Sequence, residues 1–359
     1  MLKRAAAVLL VCGGIAITVG CSSTSSHFLY AAIPSTNQIT AFREDPNSGA
    51  LVQLAGSPIT AGGAVQSILI HPTKNYLYAA NSGDVPGDVS LFTISVTGGL
   101  QEVPPRIEAG TAPTLLAMDS SGSFLYVANS GSFNVSVFSI DSSTGKLAAV
   151  GSPFPIGISP SNMALTPSGS FLYITGPGNP GYIQGFAMTN GVPTPVPGSP
   201  FFTGGNPFGL AIDPTGSYLY TGNKLDNSIS EFSISPDGSL SQLVGSPIGE
   251  TYIAPVALLV DPSGKFLYAA NQGSTNVAGF SIGSGTGGLT LMTASPFGTG
   301  SNPAFIASDP AGNVLFVANQ SSSSSGTIQS FSLDKTSGTL TSVSTYSAGG
   351  IPTSIAVTH

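Results

Sequence analysis

The stretch Phe124-Leu125-Tyr126-Val127-Ala128-Asn129 decides the fold, because the chain carries seven versions of it. Its aromatic recurs at Tyr30, Tyr78, Tyr126, Tyr173, Tyr220, Tyr268 and Phe316, with spacings of 48, 48, 47, 47, 48 and 48 residues. A period of this length, filled by four strand-like runs, reads as a propeller blade. In the third repeat, residues 114–118 form an apolar run suited to a strand buried on both faces. Asp119-Ser120-Ser121-Gly122 is a turn, since Asp accepts nearby N–H groups and Gly tolerates φ > 0. Residues 124–128 make the second strand, and residues 135–140 alternate apolar and polar as a half-buried third strand. Asp141 to Gly145 turns the chain into a short fourth strand at 147–150. Gly151-Ser152-Pro153-Phe154 then leads to the next blade, with Pro blunting the outer edge.

The layout repeats. Asp-Pro-x-Gly turns start at Asp213, Asp261 and Asp309, and the Gly/Ala-Ser-Pro-Phe/Ile link starts at Gly56, Gly151, Gly198, Gly245 and Ala294. Blades two and seven lack that link. The last run, Pro352-Thr353-Ser354-Ile355-Ala356-Val357, matches Pro113-Thr114-Leu115-Leu116-Ala117-Met118, a first strand with nothing after it. Phe28-Leu29-Tyr30 is a second strand with nothing before it. The expectation is an all-β, seven-bladed propeller with four-stranded blades over 27–359, its ring closed where the C-terminal strand completes blade one.

Composition agrees. The 359 residues are 41% hydrophobic but only 7% charged, with 46 Gly and 28 Pro. Typical soluble domains carry about 25% charged residues. Few Lys, Glu and Arg means few helix formers on any surface, which excludes coiled coils and bundles. Nine basic residues, scattered in a chain of net charge −7, exclude nucleic-acid binding.

The N-terminus reads as an address. Lys3 and Arg4 precede an apolar run over residues 5–19, shorter than the about 20 residues of a membrane span and suited to a secretory signal. It ends at Thr18-Val19-Gly20-Cys21, the pattern of a bacterial lipoprotein signal. Residues 1–20 are expected to be removed, Cys21 lipidated, and 21–26 to serve as a Ser-rich tether. The protein is then expected at the bacterial cell envelope, held to the membrane through the lipid anchor alone. Cys12 lies in the signal, so the body has no disulfide.

The repeats resemble the lactonase-type seven-bladed propeller family, described by a Tyr-Val-Thr-Asn-like repeat; here it reads Tyr126-Val127-Ala128-Asn129 and Phe316-Val317-Ala318-Asn319. The resemblance covers about residues 27–359. It implies the propeller fold and, through family members that are 6-phosphogluconolactonases and carboxymuconate cyclases, a lactone-directed activity using Arg, His and carboxylate side chains in a top-face cleft. None of those positions matches a residue of this chain. The repeat specifies the fold and not the chemistry.

By analogy with other propellers, the second-to-third strand loops and the blade links share the top rim. His27, His71 and His359 all fall away from it, so a Ser-His or Cys-His nucleophile has no base there. No metal cluster has spacing support, and no cofactor is expected. Asp45, Asp119, Asp141, Asp213, Asp237, Asp261, Asp309 and Asp334 occupy recurring turns, and Arg43, Glu44, Lys146 and Lys335 lie beside bottom turns as solvated groups. The top retains Asp84, Asp88, Lys224 and Asp226 on loops, and Arg106, Glu108, Glu250 and Tyr252 on links expected nearest the axis. Departures from a repeat are where a site is grafted: Glu250 and Glu108 are candidate general bases, with Arg106 beside a developing oxyanion. Tyr252, Lys224, Asp226 and the strand-end ring Asn81, Asn129, Asn223, Asn271 and Asn319 are candidate ligand contacts.

Two readings result. The first is a non-enzymatic, lipid-anchored propeller whose top face binds a small molecule, a glycan or a cell-envelope protein, as a monomer. The second is a lactone hydrolase. Clustered Arg or Lys would be needed for phosphate, and the body has two Arg, so an unphosphorylated sugar lactone is the expected substrate of that second reading.

Overall fold

The structure, a computed structural model, describes residues 27–249, 253–321 and 325–358. Seven antiparallel sheets form the blades, and each inner strand touches the inner strand of the next blade until the circle returns to the first. In blade three the order from axis to edge is Pro113–Met118, Phe124–Asn129, Asn134–Ile140 and Leu147–Ala149. The second strands are the most buried element, because the twisted sheets stack on both of their faces: Tyr126, Val127 and Ala128 are at most 1% exposed.

Ring closure is as the repeats predict. Ser354–Val357 is the inner strand of blade one and pairs antiparallel with His27–Ile33, Leu29 opposite Val357 and Ala32 opposite Ser354. The Phe28 N–H donates to Thr358 Oγ1 at 2.8 Å, and the Thr358 N–H returns to the Phe28 carbonyl at 2.9 Å.

The blades differ from the expected four strands. In six of them a further two- or three-residue strand pairs with the third strand beyond the fourth, for example Phe154–Pro155 in blade three. The Gly-Ser-Pro link is therefore not a departure from the blade but a gap in a split outer strand. Proline cannot supply the ladder N–H there, and the residue it interrupts still has a donor to satisfy. The Ser hydroxyl accepts it: Ala41 N–H to Ser57 Oγ at 2.7 Å, Gly185 to Ser199 at 3.0 Å, Glu231 to Ser246 at 2.8 Å and Gly279 to Ser295 at 3.1 Å. Blade two makes the same split with Pro104-Pro105. Blade seven has neither motif, and its outer strand Leu340–Ser347 runs unbroken.

Blades are tied to each other by the repeat aromatic. The hydroxyls of Tyr30, Tyr78, Tyr173, Tyr220 and Tyr268 donate to the carbonyls of Gly98, Gly145, Gly238, Gly287 and Gly338 at 2.7–2.8 Å, each a turn of the following blade. Those glycines hold φ between +70° and +83°, and at Gly287 an added Cβ would lie 2.1 Å from the Tyr218 ring. Tyr78→Phe is expected to cost about 1–2 kcal/mol, the net worth of one buried hydrogen bond plus an orphaned carbonyl. Urea unfolding checks this, and an unchanged midpoint would count against the tie.

Candidate functional site

The top rim is where the sequence reading put it: Ser130 N–H donates to the Ala112 carbonyl and Gly131 N–H to Thr111, joining loop to link. Two columns of residues build a funnel on the axis at this end. The first comes from β-bulges. In blades two, three, five, six and seven the register with the second strand shifts one residue into the inner strand, at Gln66, Thr114, Phe208, Val256 and Ala304. A bulge re-aims the extra side chain, and all five line the funnel. The second column is the residue after the strand-end Asn position, giving Ser130, Pro177, Lys224, Gln272 and Gln320. The mouth holds about 500 Å³. Below it the throat narrows to about 200 Å³ between apolar inner-strand residues such as Leu210, Leu258 and Ile306.

The lining is amide, hydroxyl and apolar, with Lys224 as its single charged side chain among the described residues. Lys224 Nζ stands 5.3 Å from the centre of the Phe208 ring, a cation–π contact that holds the ammonium toward the axis. Gln66 Nε2 donates to Ser82 Oγ at 3.1 Å and Gln320 Nε2 to the Pro352 carbonyl at 3.0 Å, which fixes both amides. Such a surface suits an uncharged, hydroxyl-rich ligand.

Lys224 is the one sequence candidate that this geometry brings to the axis. Asp226, two residues on, braces the loop by accepting the Gly205 N–H at 2.5 Å. Arg106 and Glu108 are not beside the axis. The split outer strand carries both to the perimeter of blade two, where Ile107–Glu108 pairs with Asp88 and Val89. Arg106 Nε donates to Glu102 Oε1 at 2.6 Å and lines a crevice of about 170 Å³ against Lys146 of blade three. Glu250, Tyr252 and Cys21 lie outside the described residues.

The Asn ring does not face a ligand. Asn81, Asn129, Asn223, Asn271 and Asn319 are at most 1% exposed. Asn129 Nδ2 donates to Asn134 Oδ1 and Ser136 Oγ, and its Oδ1 accepts the Gly110 N–H at 3.0 Å. The ring is filled by size. Where the strand ends in Asn81, Asn129, Asn223 or Asn319, the facing link residue is Gly62, Gly110, Gly204 or Gly300; where it ends in Gly176, the link brings Ile158.

The turn carboxylates behave as expected. Asp141 Oδ1 accepts the Ser143 hydroxyl and the Thr144 and Ser143 N–H groups, and these bonds hold its carboxyl down to about 2. His71 takes the same role with an imidazole: Thr73 N–H donates to Nδ1, which leaves Nε2–H to donate to the Gly122 carbonyl at 3.0 Å. Glu44 departs from expectation, being 2% exposed rather than solvated. Burial first, then the charges of Asp309 and Asp45, push it up to about 8. Ring closure brings His27, Glu44 and Asp309 within 4.8 Å of one another, a meeting that spacing along the chain does not show.

The sequence carries little signal for the funnel. Six repeats place a Pro at or just before the inner strand, at Pro113, Pro160, Pro207, Pro255, Pro303 and Pro352, and the residue after it varies, but so does the next one, from Leu115 to Asn162, Gly209, Ala257, Phe305 and Ser354.

Comparison with known proteins places this architecture. A stretch of 81 residues is 38% identical to a 6-phosphogluconolactonase of Formosa agariphila, spanning 22% of this chain and 23% of that relative. Among solved structures, the periplasmic gluconolactonase of Pseudomonas aeruginosa superposes with a TM-score of 0.75 at 19% identity, over 93% of this chain and 99% of that one. A Lactobacillus plantarum protein superposes at 0.79 with 19% identity and the same coverage. The model of one family matches residues 23–159, 185–301 and 256–357. The chain belongs to that family, the lactonase, 7-bladed β-propellers.

Proposed function

We propose that the chain is an exported lactone hydrolase that takes an unphosphorylated sugar lactone in the axial funnel. The observation that carries this reading is the funnel lining, uncharged except for Lys224, at the axis of a lactonase-family propeller. Amides at Gln66, Gln272 and Gln320 suit sugar hydroxyls. A single ammonium suits the oxyanion that forms when water attacks the lactone carbonyl. The ring C–O bond then breaks, giving a hydroxy acid and releasing one proton at neutral pH. One cation is poor provision for a phosphate dianion. Glu250, a carboxylate where the link departs from the repeat, is the proposed general base. Export and attachment through a lipidated Cys21 form part of the same proposal, as does a monomeric state.

A second reading, binding of a glycan or other neutral ligand without turnover, is favoured by one observation: no described side chain lining the funnel is a carboxylate or an imidazole. A pH-stat assay of the full chain on sugar and aliphatic lactones separates the two. Acid release is expected, falling about 10²-fold in kcat/KM for Lys224→Met, as for loss of one oxyanion donor, and comparably for Glu250→Gln. Release from no lactone, with sugars still bound by calorimetry, would leave the binding reading. Turnover indifferent to both substitutions would put the site elsewhere.

A further inference from the structure

Two departures from the repeat meet at the seam between blades seven and one. Glu44 ends the third strand of blade one, a place taken by Ile94, Ile140, Met188, Ile234, Ile282 and Leu333 in the other blades. A carboxylate has therefore replaced an apolar side chain, and its own side chain has no exposed surface. Neither Glu44 oxygen has a hydrogen-bond partner among the described residues. Asp309 opens the facing turn of blade seven. Its Oδ1 accepts the Asn313 and Val314 N–H groups, as the repeat requires. In the sister turns the second oxygen is engaged by a hydroxyl two residues on, from Ser121, Thr215 or Ser263. Blade seven has Ala311 at that position, and Asp309 Oδ2 is left buried without a partner. His27 adjoins both carboxylates, with Nδ1 4.0 Å from Glu44 Oε2 and one ligand atom of each of the three residues within 4.8 Å of the others.

We propose that His27, Glu44 and Asp309 form a binding site for one divalent transition cation, with Zn²⁺ the best match. One imidazole nitrogen and two carboxylate oxygens are ordinary zinc donors at about 2.0–2.2 Å. Tetrahedral geometry at that bond length sets ligand atoms about 3.4 Å apart, so side-chain rotation closes the present 4.8 Å limit. Buried carboxylates facing each other without donors are costly, and a cation removes that cost. Calcium is a poorer match, because it prefers six or more oxygens. The His27 side chain retains 13% exposure, which leaves a path for the ion and a fourth position for water. The role is structural. This is the seam where Phe316 replaces the tyrosine of the repeat and so brings no hydroxyl to the neighbouring turn, and the ion would clip the strand His27–Ile33 to blade seven instead.

Calorimetric titration of the untagged full chain with ZnCl₂, after EDTA treatment and dialysis, tests this. One Zn²⁺ per chain is expected. At hundredfold excess over Kd, the melting temperature should rise by about 5 °C. Glu44→Gln should weaken binding at least tenfold. Ala311→Ser, which restores the hydroxyl of the sister turns and leaves the fold intact, should weaken it by about 10-fold or more through competition for Asp309. No stoichiometric binding by the parent chain would overturn the proposal and leave a proton shared between Glu44 and Asp309. Binding that is unchanged in both variants would overturn it equally.

Discussion

Deleting residues 352–359 is expected to lower the melting temperature by about 10 °C or more, or to leave the chain insoluble. The segment is small, but it is the whole inner strand of blade one. Ile355 is 3% exposed in a cluster with Leu29, Ala31 and Phe316, and loss of such a side chain alone costs about 2–5 kcal/mol. Four ladder pairs go with it. So do the Ser354 Oγ acceptor for the Ile68 N–H and the Thr353 hydroxyl bond to the Gln66 carbonyl. Those last two contacts reach blade two, so the cut also removes a wall shared with the neighbour. What remains is an open ring with an exposed strand edge at the axis. A truncated chain melting within a degree or two of its parent would mean that closure contributes little.

The second large effect concerns Asn223. Its Nδ2 donates to Ser228 and Ser230 at 3.0 and 2.9 Å, while Oδ1 accepts from Thr203 at 3.1 Å and Thr221 at 3.3 Å. All five residues are buried. Asn223→Ala should destabilise by about 2–4 kcal/mol, because four hydroxyls lose a partner in a dry site. Ligand affinity in the funnel should stay as it was. Chemical denaturation and ligand titration on the same variant decide the matter: unchanged stability with lost binding would return the Asn ring to the ligand.

The fold was legible because one motif recurs in phase. Each repeat votes on the same strands and turns, so an ambiguous run such as Leu147 to Val150 is settled by its counterparts. The split outer strand was less legible, since Gly-Ser-Pro reads as a link until pairing shows what its Ser hydroxyl satisfies. The funnel was missed for a related reason. A bulge such as Thr114 is visible only when two strands are laid against each other, and neutral residues such as Gln66 or Ala304 do not stand out from the repeat as rare charges do. Arg106 and Glu108 drew notice as charges on a link, yet the link begins at the perimeter and only its far end reaches the axis. Glu44 was open to detection, as a charge in an otherwise apolar column. Its meeting with His27 and Asp309 was not, because they are far apart in the chain and adjoin only through the closed circle.

The strand pairing of Leu29 with Val357 has one more consequence. The two extremities of the described chain run side by side, so the order of blades is cyclic and the place of the break is a matter of bookkeeping. A circular permutant that joins residue 358 to residue 27 and opens instead in an outer turn would keep every ladder of the ring. Adding or removing one whole repeat is different. It would change the angle between all neighbouring blades at once, so the number seven is guarded by all the seams together, while the starting point is guarded by none.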